Sequence, residues 1–270
     1  MDLAGNVVVV TGSAGGIGRA LARRFHAAGT SGVVVADTNA AGAAAVADEL
    51  NARRPGSAMA LTSDISTEAG NRELIAATEE RFGPIDLFFA NAGVGGGTDL
   101  ETPQSEWRNA FAVNIEAHVF AAQLLVPGWV DRGYGYFCST ASAAGLLTQI
   151  GSWPYSVTKH AAVGFAEWLS VTYGDRGVRV SCLCPMGVNT NMLSSPTSSI
   201  GSNTAGDVVR AAGAVLEPED VAEVVLAGIT DERFLFLPHP EVLTFWQRKS
   251  TDYDRWLGGM RRLQSRVQGS

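Results

Sequence analysis

The sequence predicts an α/β fold, a single domain built on a doubly wound parallel sheet of about seven strands with helices on both faces. Three observations predict it. Short β-branched or aromatic runs alternate with helical stretches, and the first runs are apolar at successive positions, as strands covered on both faces require. No linker interrupts this alternation before about residue 190.

The predicted strands and helices follow one another along the chain. The strands are residues 7–10, 33–36, 59–62, 87–90, 136–138, 178–183 and 234–237. Helical candidates between them include residues 18–28, 40–53 and 71–82, with Gly29 and Gly83-Pro84 as stop signals. An alternation of this kind indicates parallel βαβ units, and 46% apolar residues suffice for a large core.

Two segments depart from the alternation. Residues 191–217 are rich in Ser, Pro and Gly, and so long an excursion within a compact domain predicts a substrate lid. Residues 239–270 are predicted to form a C-terminal helical extension, which packs on its own domain or on a sister subunit; a membrane-surface helix is the weaker alternative. The extension is predicted from apolar residues near helical spacing: Trp256, Leu257, Met260, Leu263 and Val267.

Charge and composition exclude several classes of partner. The net charge of −7 argues against nucleic acid binding. The N-terminus lacks the positive charge of a signal peptide, and the uncharged residues 133–158 are too rich in Ser, Thr and Gly for a membrane span. Cys138, Cys182 and Cys184 form no CxxC pair and are interpreted as reduced core thiols of a cytoplasmic protein. The histidines form no cluster, so no metal site is predicted.

A glycine-rich turn follows the first predicted strand. It reads Thr11-Gly12-Ser13-Ala14-Gly15-Gly16-Ile17-Gly18 and leads into a helix, whose free amides favour a pyrophosphate. No Lys-Ser/Thr pair follows, which argues against a Walker-type site. The next strand leads into Asp37-Thr38, where a carboxylate can bind the adenosine ribose and repel a 2′-phosphate. We therefore predict a Rossmann-type site for NAD in preference to NADP; an ordinary turn residue is the alternative for Asp37.

The order of motifs resembles the short-chain dehydrogenase/reductase family from about residue 5 to residue 238. The motifs are Thr11-Gly12-x-x-x-Gly16-x-Gly18, Asp64-Ile65, Asn91-Ala92-Gly93, Asn114, Ser142 and Tyr155-x-x-x-Lys159. The resemblance implies that Asp64 holds the adenine amino group, with Ile65 against the ring, and that Asn91, Ala92 and Gly93 line the cofactor. Pro185, Gly187, Val188 and Thr190 would meet the nicotinamide end, and Met186 stands where the family has glycine.

The spacing of Tyr155 and Lys159 predicts acid/base chemistry. The two lie four positions apart, so they share one face of a helix. A free tyrosine titrates near 10, but an adjacent cation together with an oxidised nicotinamide favours the phenolate. We assign proton transfer to Tyr155 and stabilisation of the substrate oxygen to Ser142. The resemblance implies that Lys159 binds the nicotinamide ribose and that Asn114 fixes a water for proton relay.

The residues expected around the substrate are mostly apolar. They are Ala144, Leu147, Gln149, Trp153, Met186 and Met192, with Leu193, Phe245 and Trp246 as further candidates. No Arg or Lys stands among them, so we predict an uncharged, largely hydrophobic secondary alcohol or ketone as the small-molecule substrate. Two alternatives remain: a cofactor-binding regulator without turnover, and a nucleotide-sugar epimerase or dehydratase. The resemblance also implies a homodimer or homotetramer.

Overall fold

A computed structural model describes residues 1–194 and 204–268 of the chain. Within that part there is one sheet of seven parallel strands: β1 (Val7–Thr11), β2 (Gly32–Asp37), β3 (Ala58–Thr62), β4 (Leu87–Ala90), β5 (Gly135–Thr140), β6 (Val178–Leu183) and β7 (Leu235–Phe236). Their order across the sheet is β3-β2-β1-β4-β5-β6-β7. The predicted fold class, a doubly wound parallel sheet in a single domain, is confirmed.

The helices alternate with these strands and continue beyond β7. They are α1 (Gly16–Ala27), α2 (Ala40–Arg53), α3 (Glu68–Phe82), α4 (Gln104–Phe111), α5 (Ala117–Arg132), α6 (Trp153–Tyr173), α7 (Asn191–Ser194), α8 (Thr204–Ala212), α9 (Pro218–Thr230), α10 (Glu241–Thr251) and α11 (Tyr253–Gln268). A π-helical turn, Ala112–Glu116, joins α4 to α5, and a short 3₁₀ turn spans Ala143–Gly145. Helix α3 begins before the predicted residue 71 because the Thr67 hydroxyl caps it, accepting a hydrogen bond from Gly70 N at 3.0 Å.

Two apolar layers cover the sheet, one on each face. Strand β1 contributes to both: Val7 and Val9 face the layer of α3, α5 and α6, while Val8 and Val10 face the layer of α1, α2 and α9. Successive side chains of a strand point to opposite faces, so an unbroken valine run is buried throughout. This double burial explains why the strands read as continuous apolar runs.

The strand order reverses direction at β1. This strand pairs with β2 on one side and with β4 on the other. The chain connections on either side of β1 therefore leave towards opposite edges of the sheet, and a crevice opens at the carboxyl ends of the strands. Such a crevice is where open α/β sheets bind their ligands.

The continuous helical run of residues 104–132 is long and apolar enough to cross a membrane by length and composition. Its inner face is buried against the sheet through Ala121, Leu125 and Trp129, and the Trp129 indole donates a hydrogen bond to Ile85 O at 2.8 Å. Core helices of soluble proteins pass the same test, so length and composition assign this helix no membrane role.

The described parts of the two segments that depart from the alternation contain helices. The predicted lid, residues 191–217, contains α7 and α8, and its residues 195–203 lie outside the described part of the chain. The segment from residue 239 contains α10 and α11. The role of the lid remains a prediction.

Candidate active site

A cavity of about 1130 Å³ opens at the carboxyl ends of the strands, at the crevice beside β1. The structure brings most of the predicted cofactor residues to its wall: Gly12, Ala14, Gly16, Ile17, Gly18, Asp37, Thr38, Asp64, Ile65, Asn91, Ala92, Gly93, Pro185, Val188 and Thr190. Ser13 and Gly187 do not line it. The Ser13 hydroxyl is buried and donates a hydrogen bond to Val10 O at 2.7 Å, so it stabilises the turn from behind.

The glycine turn between β1 and α1 has room for no side chain at two of its positions. A Cβ at Gly18 would lie 2.2 Å from Gly12 O, and one at Gly12 would lie 2.8 Å from Ala92 Cα. Gly12 and Gly16 also have positive φ values, 64° and 51°. The turn therefore presents bare backbone and the N-terminus of α1 to the cavity, an arrangement that suits a pyrophosphate.

Asp37 is held at the end of β2 by two backbone amides. Its Oδ2 accepts a hydrogen bond from Ala14 N and its Oδ1 accepts one from Asn39 N, both at 2.9 Å. The carboxylate is thus fixed beside the glycine turn and lines the cavity. Its position fits the predicted contact with the ribose hydroxyls.

Arg19 is a cavity residue to which the sequence analysis assigned no role. It lies in the first turn of α1, and its Nε is buried without a hydrogen-bond partner among the described residues. Its position directly after Gly18, the last glycine of the turn, was the sequence feature that could have identified it as a cavity residue. Its guanidinium adds a full positive charge to the end of the cavity where the helix amides converge.

Strands β1 and β4 are joined at their carboxyl ends by Thr11 and Asn91. The Thr11 hydroxyl accepts hydrogen bonds from Asn91 N and Ala92 N, both at 3.0 Å, and Asn91 Nδ2 donates to Thr11 O at 2.9 Å. These bonds fix the Asn91-Ala92-Gly93 segment against the glycine turn. The structure therefore explains this motif as one that stabilises part of the cavity wall.

Ser142, Tyr155 and Lys159 meet at the carboxyl end of β5. The Ser142 hydroxyl lies close enough to the Tyr155 phenol to lower the pKa of that phenol. Lys159 is almost completely buried, its Nζ donates to Thr140 O at 2.8 Å, and it lies 5.6 Å from the centre of the Tyr155 ring. The Ser142 hydroxyl also accepts a hydrogen bond from Ala144 N at 3.1 Å, which orients it. Three polar groups of the predicted chemistry thus converge on one wall of the cavity.

Burial dominates the electrostatics of this cluster. It lowers the pKa of Lys159 to about 8, and it raises the pKa of Tyr155, an effect that the neighbouring Ser142 hydroxyl partly opposes. The sequence predicts a lowered Tyr155 pKa from the lysine cation and an oxidised nicotinamide together. The chain by itself gives the opposite direction, because removing the phenol from water disfavours its charged form.

Asn114 lies in the π-helical turn and is completely buried. Its Oδ1 accepts a hydrogen bond from Val94 N at 2.8 Å, and its Nδ2 donates to Val94 O at 2.9 Å and to Thr158 Oγ1 at 3.0 Å. The side chain therefore fixes the segment after β4 to helix α6. The implied water relay through Asn114 stays a prediction.

The turn that contains Met186 is stabilised by His239. Met186 N donates to His239 Nδ1 at 3.1 Å, and His239 Nε2 lies 3.0 Å from Gly187 O, to which it donates. Met186 has no positive φ, so a side chain fits where the family has glycine. Pro185 O accepts a hydrogen bond from Ala143 N at 2.8 Å, which ties this turn to the Ser142 segment.

The predicted substrate residues divide into two groups. Those that line the cavity are Ala144, Leu147, Gln149, Met186, Met192, Leu193 and Phe245. Trp153 does not line it, because its indole donates to Asp99 O at 2.7 Å and packs near Trp107. Trp246 lines a separate pocket of about 260 Å³.

Further cavity residues come from helices that the sequence analysis treated as a lid or as a packing surface. They are Val208 and Val209 of α8 and Trp256, Met260 and Leu263 of α11. The helical spacing of the α11 residues was visible in the sequence, but it could not show which surface they face. No cluster of His, Cys, Asp or Glu that could hold a metal ion occurs in the described ranges.

A parallel sheet in this strand order, with a glycine turn after its first strand, defines a Rossmann-type α/β protein. The family model described as short chain dehydrogenase matches residues 6–200. The chain belongs to the short-chain dehydrogenase/reductase family, a family of oxidoreductases.

Two relatives and one solved structure illustrate the similarity. The chain is 37% identical to 1-deoxy-11-beta-hydroxypentalenate dehydrogenase of Streptomyces exfoliatus, over 87% of this chain and 83% of the relative. It is 34% identical to meso-2,3-butanediol dehydrogenase of Serratia marcescens, over 84% and 88%. A short-chain dehydrogenase/reductase from Burkholderia phymatum, solved in complex with NAD, superimposes with a TM-score of 0.86 at 28% identity, over 94% of this chain and 96% of that one.

Proposed function

We propose that the protein is an NAD-dependent oxidoreductase that transfers a hydride between nicotinamide and a secondary alcohol or ketone. The observation that carries the proposal is the convergence of Ser142, Tyr155 and Lys159 on one wall of the cavity that the glycine turn also lines. Both relatives are named as dehydrogenases of hydroxylated compounds, which supports the reaction class.

The residues at the glycine turn fit a dinucleotide. A Cβ would fill the cradle at Gly12 and Gly18, and the orphaned Arg19 Nε offers a donor at the same end. The fixed Asp37 carboxylate supports NAD over NADP, because it would accept from ribose hydroxyls and repel a 2′-phosphate. Oxidised NAD supplies the hydride acceptor when it is bound.

The chain's own residues supply the proton chemistry. In alcohol oxidation the Tyr155 oxygen takes the proton of the substrate hydroxyl, and in ketone reduction it returns that proton. The Ser142 hydroxyl hydrogen-bonds the same substrate oxygen and stabilises its developing charge. The Lys159 ammonium, whose Nζ donates to Thr140 O, would favour the phenolate and would bind the nicotinamide ribose.

The substrate part of the cavity supports an uncharged, largely hydrophobic substrate. The charged side chains among the described lining residues are Arg19, Asp37, Asp64 and Lys159, and these belong to the cofactor end or to the catalytic cluster. The remaining wall carries apolar groups such as Met186, Met192 and Phe245. One relative is named for a pentalenate, so a substrate panel needs carboxylated compounds beside neutral ones.

The first experiment tests the role of Tyr155. Wild type, Tyr155→Phe and the exposed control Tyr134→Phe are assayed for formation of reduced cofactor with NAD⁺ and a panel of secondary alcohols at about pH 9, where the phenolate is favoured. We expect Tyr155→Phe to lose about 10²- to 10⁴-fold in kcat. Its Kd for NADH should stay nearly that of wild type, because the phenol oxygen acts mainly in the transition state.

Three outcomes would contradict the proposal. NADH binding without turnover across the panel would favour a cofactor-binding regulator of the same fold. Full activity of Tyr155→Phe would remove the assigned acid/base. Carboxylated substrates that exceed neutral ones widely in kcat/KM would overturn the substrate class.

A further inference from the structure

Lys249 of α10 is a buried lysine that contacts residues next to the catalytic cluster but does not line the cavity. It is 8% exposed, and its Nζ donates a hydrogen bond to Leu146 O at 2.7 Å. The same Nζ lies 3.5 Å from His160 Nε2 and 5.5 Å from the centre of the Tyr253 ring. Within residues 1–194 and 204–268 no carboxylate pairs with it. A buried ammonium therefore depends on a carbonyl, an imidazole and an aromatic ring.

Two of the three partners of Lys249, Leu146 and His160, belong to the two segments that carry the catalytic groups. Leu146 directly follows the short turn Ala143–Gly145, which begins at Ser142. His160 follows Lys159 in α6, and its Nδ1 lies 2.8 Å from Ser156 O. The turn and α6 are in direct contact, since a Cβ at Gly145 would lie 2.4 Å from Lys159 O. Lys249 thus holds α10 to the junction of the two catalytic segments.

The helices that Lys249 holds also carry cavity residues. Phe245 lies one helical turn before Lys249 and lines the cavity, and α11 contributes Trp256, Met260 and Leu263. Asp252 joins the two helices, and its backbone N donates to Arg248 O at 3.3 Å. A shift of α10 would therefore carry the apolar wall away from the substrate.

We propose that Lys249 is a positioning residue, which fixes α10 and α11 against the catalytic turn and so makes them the apolar wall of the substrate site. The inference rests on the proposed function and deepens it: the wall selects bulky apolar secondary alcohols over small ones. We expect cofactor binding not to depend on Lys249, because neither Lys249 nor its partners Leu146, His160 and Tyr253 line the cavity.

The test compares Lys249→Met and Lys249→Arg with Arg248→Met, an exposed neighbour in the same helix. Each variant is assayed with NAD⁺ and two alcohols, a bulky polycyclic one and a small aliphatic one, and its Kd for NADH is measured by fluorescence. For Lys249→Met we expect the KM of the bulky alcohol to rise about tenfold, which is the scale of lost apolar pocket contacts. The kcat for the small alcohol and the Kd for NADH should stay near wild type. Lys249→Arg, which keeps a donor, should recover part of the loss.

The outcomes separate this inference from the proposed function. If wild type oxidises neither alcohol, the proposed function fails; if wild type is active and Lys249→Met has the same KM values as Arg248→Met, only the inference fails. Equal losses of kcat with both alcohols also overturn it, because they indicate a general structural defect. If Lys249→Met does not fold, Lys249→Gln is assayed in its place, and an unchanged preference for the bulky alcohol overturns the inference.

Discussion

At the scale of single residues, Lys159 shows how a proposed catalytic role opposes stability. The side chain is buried, and burial lowers its pKa from 10.5 to about 8. A shift of this size corresponds to roughly 3 kcal/mol against the charged form in the folded chain. The hydrogen bond to Thr140 O keeps the ammonium in place, so the chain retains a destabilising charge beside the phenol that it serves.

This depressed pKa predicts a specific pH dependence. Between pH 10.5 and about 8 the unfolded chain binds a proton that the folded chain does not, so the destabilisation by Lys159 is complete below about pH 8 and is lost as pH rises to 10.5. Lys159→Met lacks this group. Denaturant unfolding across that range should show wild-type stability rising with pH relative to Lys159→Met, by at most about 1.4 kcal/mol per pH unit. Parallel profiles would show that the lysine is not desolvated.

Sequence reasoning worked for residues whose placement depends on one element. Tyr155 and Lys159 share a helix, and their spacing alone puts them on one face. Trp153 is on the same helix, yet it turns towards Asp99 because the loop after β4 offers a carbonyl there. That loop is distant in sequence, so no local pattern could have predicted the contact.

At the scale of elements, the turn between β1 and α1 is a place where only glycine fits. Gly15 and Gly18 differ sharply although they lie in the same turn: a Cβ at Gly15 meets nothing within 4 Å, whereas one at Gly18 would lie 2.2 Å from Gly12 O. The carbonyl oxygen of Gly12 belongs to the backbone, so it cannot move aside as a flexible side chain could. The glycines of this turn are therefore required for close packing of α1 against β1 as well as for room for a cofactor.

We expect Gly18→Ala to weaken NADH binding by at least about tenfold and to lower the melting temperature, because α1 must move off the strand to relieve the overlap. Gly128→Ala in α5 is the control, since a Cβ at Gly128 also meets nothing within 4 Å and Gly128 does not line the cavity. Fluorescence titration with NADH and thermal unfolding of both variants test the expectation. Equal affinities would mean that α1 accommodates the methyl group without disturbing the site.

The helices after β7 show the limit of element-level prediction. The spacing of Trp256, Met260 and Leu263 predicts an apolar helix face. It does not show that this face completes a cavity built by strands more than a hundred residues earlier. The deciding contact, Lys249 with Leu146, joins residues 103 positions apart and has no local signal.

For the molecule as a whole, the fold could be predicted from the sequence because the apolar runs and the helix stop signals all agree with it. The valine runs of β1 and β2 are buried on both faces, and the helices between them begin and end near the stop signals. The site was readable because strand order alone brings the carboxyl ends of β1, β2 and β4 together. The lid stays a prediction: Asn191–Ser194 and Thr204–Ala212 are helical where the composition favours loop, and residues 195–203 lie outside the described part.

Ligand binding should stabilise the whole domain in proportion to affinity, so thermal unfolding tests the cofactor preference without turnover. A ligand at a hundred times its Kd adds about 2.7 kcal/mol, and at roughly 2–4 °C per kcal/mol the melting temperature rises by about 5–10 °C. We expect this shift with NADH and a clearly smaller one with NADPH at the same concentration, because the Asp37 carboxylate repels the 2′-phosphate. Asp37→Asn keeps the shape of the side chain without its charge and should bring the two shifts closer. Equal shifts in wild type would overturn the preference for NAD, whereas no shift with either nucleotide would count against a nicotinamide cofactor.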